Sequence, residues 1–100
     1  MELIIEKNLT NIKSIFNKYD VKEAYLFGSA ATNKFNDKSD IDFLFSFSED
    51  LNYETYFNNY FSLLNDLEKL LNTQVDLVAQ KTLKNPYLIE SINESKIRIL

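Results

Sequence analysis

The chain has 100 residues, 45% hydrophobic and 14% aromatic, with one glycine, one proline and neither cysteine nor histidine. That length and apolar content predict one domain over residues 1–100 whose core needs no disulfide or metal staple. Without histidine there is no Ser-His-Asp triad, histidine base or histidine-bound zinc, and a net charge of −4 with a pI near 4.7 argues against direct nucleic-acid binding.

Ile5, Leu9, Ile12, Phe16 and Tyr19 recur every three or four residues, which predicts a first helix ending near Asp20 with this stripe in the core. "VKEAYLF", Val21 to Phe27, is rich in strand formers and stops at Gly28, the only glycine, so it reads as a first strand running into a tight turn. A second strand is expected from Asp40. There Ile41, Phe43, Phe45 and Phe47 share one face, and Asp40, Asp42, Leu44 and Ser46 share the other.

"NYETYFNNYFSLLNDLEKLLN" places Tyr53, Phe57, Tyr60, Leu64, Leu67 and Leu71 at helical spacing, predicting a long amphipathic helix with that stripe inward. Tyr56, Phe61 and Leu63 fall off the centre of the stripe, and this excess apolar width is expected to serve an interface. "QVDLVAQ", Gln74 to Gln80, reads as a third strand with Val75, Leu77 and Ala79 on one face and Asp76 with Val78 on the other. Asn85-Pro86 has the form of a helix cap followed by a first-turn proline, and "KIRIL" is expected to close the chain as a short edge strand. No apolar run approaches the roughly 18 residues of a membrane span, and "MELIIEKNLTNIK" lacks the apolar segment of a signal peptide. The expected setting is the cytoplasm, away from membranes.

Three aspartates on strands are the anomaly, because aspartate is depleted in strands and costly to desolvate. Each alone fits a turn edge or an exposed strand face. Together with Gly28-Ser29 they suit a hard divalent cation, which takes oxygen ligands and shares them with substrate phosphates. Carboxylates at i and i+2 can hold a pair of such ions for in-line phosphoryl or nucleotidyl transfer. A glycine turn lets backbone N–H groups approach phosphate oxygens, and the serine hydroxyl adds a donor. A P-loop would need a second glycine, and a glycosidase reading finds no tryptophan platform.

The run "GS", ten residues "AATNKFNDKS", then "DID" resembles the G-S-x(10)-D-x-D signature of polymerase-beta-like nucleotidyltransferases, and "VDLV" resembles the strand carrying their third aspartate. The order of elements and the short length resemble the minimal nucleotidyltransferases (MNT) over nearly the whole chain. The resemblance implies an α+β fold, a small mixed sheet flanked by helices. It assigns Gly28 and Ser29 to the nucleotide triphosphate, Asp40 and Asp42 to two Mg²⁺ ions for which Mn²⁺ can stand in, and Asp76 to the ion nearest the attacking hydroxyl. It further implies ATP as substrate and a HEPN-domain toxin as the protein that receives AMP; the excess apolar width of the long helix is expected to serve a hetero-oligomer with such a protein or, failing that, a homodimer. Two alternatives stay open: a catalytically weak module that neutralises its HEPN partner by contact, and one subunit of an enzyme acting on a small molecule. One departure bears on these. Many relatives read G-S-x-A-R-G, whereas Thr32 and Asn33 stand here in place of the arginine and second glycine, leaving Lys34 or Lys38 as substitute cations.

Overall fold

The computed structural model describes residues 2–32 and 40–100. Its elements run α1 (Leu3–Lys7), α2 (Leu9–Lys18), β1 (Val21–Phe27), β2 (Ile41–Phe47), α3 (Tyr53–Leu71), β3 (Val75–Ala79), α4 (Pro86–Ser95) and β4 (Ile97–Arg98). The strands form one mixed sheet in the order β3-β2-β1-β4, with β2 and β3 parallel and the other pairs antiparallel. The expected α+β arrangement is therefore present, and "KIRIL" supplies the edge strand.

The single first helix of the sequence reading is instead two. Asn8 donates its side-chain amide to the Ile4 carbonyl at 2.8 Å, and its own N–H turns to Ile5 at 3.2 Å. Asparagine's competition for local backbone groups is the physical reason for such a break. Asp20, at φ 63, then reverses the chain into β1.

One sheet face packs on α2 and α3. Ile12, Phe16, Ala24, Leu26, Ile41, Phe43, Phe45, Leu63 and Leu67 are all completely buried there, and the rings of Phe16 and Phe43 meet edge to face at 5.4 Å. The inward stripe of α3 keeps Tyr60, Leu64, Leu67 and Leu71 of the expected one and departs from it at Tyr53 and Phe57. Leu63, Leu67 and Leu71 are buried, with Tyr56, Tyr60 and Leu70 half-buried, whereas Tyr53 and Phe57 are 84% and 52% exposed. Leu63 thus belongs to the core and not to an interface, while Phe61 is outward as expected, at 59% exposure. The reason is the width of the apolar arc: when aromatic residues fill two adjacent stripes, periodicity alone cannot say which one faces the sheet.

Helix α3 also seals the outer edge of β3. The Tyr60 hydroxyl donates to the Leu77 carbonyl at 2.9 Å, and the Glu68 carboxylate accepts the Val75 N–H at 3.0 Å. Such side chains occupy backbone groups that an open strand edge would otherwise present to another chain. Asn52 caps α3 by accepting the Thr55 N–H at 2.8 Å, and Asn72 ends it at φ 51, a left-handed position asparagine tolerates. Asn85 caps α4 through the Tyr87 N–H at 3.0 Å, with Pro86 in the first turn as the sequence indicates.

The second sheet face carries Tyr25 and Phe27 of β1, Asp42, Leu44 and Ser46 of β2, and Asp76 and Val78 of β3. Helix α4 covers part of it: Leu44 and Ile92 are each 3% exposed yet stand apart from the main core. The remainder of this face carries the aspartates. Among the described residues no helix is long and apolar enough to cross a membrane.

Candidate active site

Strand register brings the acidic residues together. In the parallel β2–β3 pair Asp42 lies directly opposite Asp76, and in the antiparallel β1–β2 pair it lies opposite Phe27. Neighbouring strands run roughly 4.8 Å apart, so the Asp42 and Asp76 side chains stand side by side on one face. Asp40 stands one residue before β2 begins, exposed at the mouth of the same face. Asp42 is half-buried and Asp76 exposed.

Electrostatics report this crowding. The Asp42 carboxyl is pushed up from 3.8 to about 6, first by burial, then by the negative charges of Asp76 and Asp40. The Tyr60 hydroxyl is raised as well, through burial, the charge of Asp76 and neighbouring Tyr56. Tyr60 is therefore electrostatically linked to the site, although sequence reasoning counted it only as a core aromatic.

The turn after β1 is a single 3-10 turn, Gly28–Ala30, with Gly28 at φ 72. That conformation is left-handed and favours glycine. Space argues the same way: a Cβ at position 28 would overlap Oδ2 of Asp42 and lie 3.3 Å from its Cγ. The turn and the acid strand are thus in direct contact, and Ser29 follows at once. Thr32, at the position where the G-S-x-A-R-G signature has arginine, closes the turn: its N–H and hydroxyl both donate to the Gly28 carbonyl, at 3.3 and 3.2 Å. Asn33, Lys34 and Lys38 lie outside the described residues.

Among the described residues no group of three or more His, Cys, Asp or Glu side chains already stands in a metal-holding arrangement. The three aspartates form an open platform, exposed at Asp40 and Asp76. An oxygen-only donor set with open sides suits a hard cation that keeps waters and shares its ligands with phosphates, and the mutual repulsion felt at Asp42 is what such a cation would relieve. The residues fit the group. Sequence reasoning placed Gly28, Ser29, Asp42 and Asp76 on these elements correctly. It missed the burial of Leu44 on the acid face, for which an apolar residue alternating with aspartates was the available signal.

A candidate protein adenylyltransferase of Methanocaldococcus jannaschii is 40% identical to this chain over 101 aligned positions, covering 93% of the chain and 99% of the relative. The solved structure of a candidate minimal nucleotidyltransferase superposes with a TM-score of 0.78 at 26% identity, covering 93% of this chain and 90% of that one. The complex of a tri-AMPylated Shewanella oneidensis HEPN toxin with its MNT antitoxin superposes with a TM-score of 0.66 at 20% identity, covering 95% of this chain and 71% of that one, a likeness of fold. The polymerase beta nucleotidyltransferase family model matches residues 10–100, and with the acid strands and glycine turn in register the chain belongs to that family.

Proposed function

We propose that this protein transfers AMP from ATP to a HEPN-domain protein, as the antitoxin of a toxin–antitoxin module, with Mg²⁺ as cofactor. The observation that carries this reading is the register that sets Asp42 beside Asp76 while Gly28 packs against Asp42. The adenylyltransferase name of the Methanocaldococcus relative and the AMPylated toxin in the Shewanella complex support the choice of AMP and of partner.

In the proposed reaction the acceptor hydroxyl oxygen forms a bond to the α-phosphorus, the bond from that phosphorus to the bridging oxygen breaks, and pyrophosphate leaves. Backbone N–H groups and the hydroxyl of Gly28-Ser29 would hold the triphosphate, since the glycine lets phosphate oxygens approach the chain. Asp40 and Asp42 would hold Mg²⁺ against the phosphates, joined by Asp76 on the acceptor side. When bound, Mg²⁺ supplies charge neutralisation of the phosphate oxygens and acidifies the attacking hydroxyl. Asp76, the more exposed carboxylate of the central pair, faces the incoming acceptor and favours departure of its proton. Tyr60 keeps β3 in place through its bond to Leu77, and so positions Asp76.

A second reading has one observation in its favour. Thr32 spends its hydroxyl on the turn's own carbonyl, where an arginine would reach the phosphates. A protein with this turn would bind its partner and neutralise it by contact, with transfer slow or absent. The discriminating experiment incubates the protein with its co-expressed HEPN partner and α-labelled ATP. Label on the partner that disappears in Asp42→Asn supports transfer. Neutralisation without label supports contact alone.

A further inference from the structure

A cavity of about 260 Å³ opens between β2 and α4, with Leu44, Leu83, Ile89 and Ile92 as its apolar surfaces and Gln80, Asn93 and Lys96 supplying polar groups. It lies on the acid face of the sheet. Leu44 follows Asp42 by two residues on that face, roughly 7 Å along the strand. Gln80 likewise continues the line of Asp76 and Val78 just past the end of β3. The cavity is not a gap in the main core, because Leu44 and Ile92 belong to the separate contact that α4 makes with this face.

Its chemistry matches one part of a nucleotide. A nucleobase has a flat apolar surface and an edge of alternating donors and acceptors. Leu44 and Ile89 offer apolar contact, the amides of Gln80 and Asn93 each offer a donor and an acceptor, and Lys96 offers donors only. The Lys96 ammonium is steadied 4.4 Å over the Tyr25 ring, and Tyr25 pairs with Leu44 in the sheet. One lysine amid apolar walls is a poor site for a triphosphate, which belongs at the acid and glycine end. Leu44 stands two residues from Asp42 on the same strand face, so a base in the cavity and phosphates at Asp42 would lie side by side on the sheet.

We propose that the cleft between Leu44 and α4 holds the purine base of the nucleotide whose phosphates lie at Gly28 and Asp42. The inference rests on the nucleotide-transfer reading and deepens it: base selectivity resides in α4 and the end of β3, apart from the aspartates.

Calorimetric titration with Mg-ATP and with Mg-tripolyphosphate, which has no base, tests it. Ile89→Trp fills the cleft, and Asn93→Ala removes a polar group from an exposed position, so the second variant stays informative if the first folds poorly. Both should lose ATP affinity, Ile89→Trp by about tenfold or more and Asn93→Ala by about threefold, while tripolyphosphate binds each as it binds the wild type. Wild-type ATP affinity in a folded Ile89→Trp, or unchanged ATP affinity in Asn93→Ala, places the base elsewhere and overturns the proposal. Equal losses of ATP and tripolyphosphate affinity overturn it too, by showing a general effect on the fold. If the wild type binds neither ligand, the transfer reading itself fails and the base site falls with it.

Discussion

Gly28 and Asp42 are in such close contact that any side chain at position 28 would run into the Asp42 carboxylate. The glycine therefore answers two demands at once, a left-handed φ of 72 and room for a neighbouring acid. Gly28→Ala should destabilise the fold by about 1–3 kcal/mol, combining backbone strain with displacement of Asp42. In the Asp42→Ala background the same change should cost less, because one of the two clashing groups has gone. A double-mutant cycle by urea unfolding measures the coupling.

The raised Asp42 carboxyl links the site to pH. Its folded value of about 6 lies above its ordinary 3.8, so the folded chain holds the proton more tightly than the unfolded chain does. The stability contributed by that proton is fully present below about pH 4 and is lost as pH rises through 6. Metal-free wild type should therefore lose stability across that window relative to Asp42→Asn, which has no such proton to lose. Urea unfolding of both proteins between pH 4 and 7 checks the sign, and millimolar Mg²⁺ with ATP should stabilise wild type but not Asp42→Asn at pH 7.

Tyr60 joins core, strand edge and acid site. Tyr60→Phe keeps the ring beside Phe45 but leaves the Leu77 carbonyl without its hydroxyl partner. The expected cost is about 1 kcal/mol in unfolding free energy. Faster amide exchange in β3 than in β1 would locate the effect.

The outward row on α3 should behave unlike the inward one. Tyr53, Phe57 and Phe61 stack along the helix at 6.3 and 6.4 Å and are more than half exposed, whereas Leu63 is fully buried. Phe57→Ser or Phe61→Ser should change stability by no more than about 0.5 kcal/mol. Leu63→Ala should cost about 2–5 kcal/mol, as buried leucines do. Thermal or urea unfolding of the three variants decides whether the core stripe is assigned correctly.

Strand positions were legible because their signals are local. The alternation from Ile41 to Phe47, the valine-rich run around Asp76, and the glycine after Phe27 each fix an element and a face without reference to anything distant. The pairing of Asp42 with Asp76 was less accessible: it depends on the register of two strands separated by a 19-residue helix, and only the family resemblance suggested it. Three features escaped, one through a local side-chain bond and two because tertiary contacts decide them. The side-chain bond of Asn8 divides a periodic stripe that reads as one helix. The orientation of α3 is set by which of two aromatic rows fits the sheet. Leu44 is buried only because α4 returns over the acid face, a long-range packing event that alternation cannot reveal.

Asp76 carries the central claim. It is exposed at the start of an edge strand, its removal opens no cavity, and Asp76→Asn keeps size and hydrogen bonding while deleting the charge. The decisive measurement is transfer of label from α-labelled ATP to the purified HEPN partner by wild type and Asp76→Asn, with partner toxicity scored in parallel. The account predicts labelling by wild type and a loss on the order of a thousandfold in Asp76→Asn, with fold and ATP binding retained. Rescue by Asp76→Asn equal to wild type, with neither protein labelling the partner, would contradict it and leave neutralisation by contact.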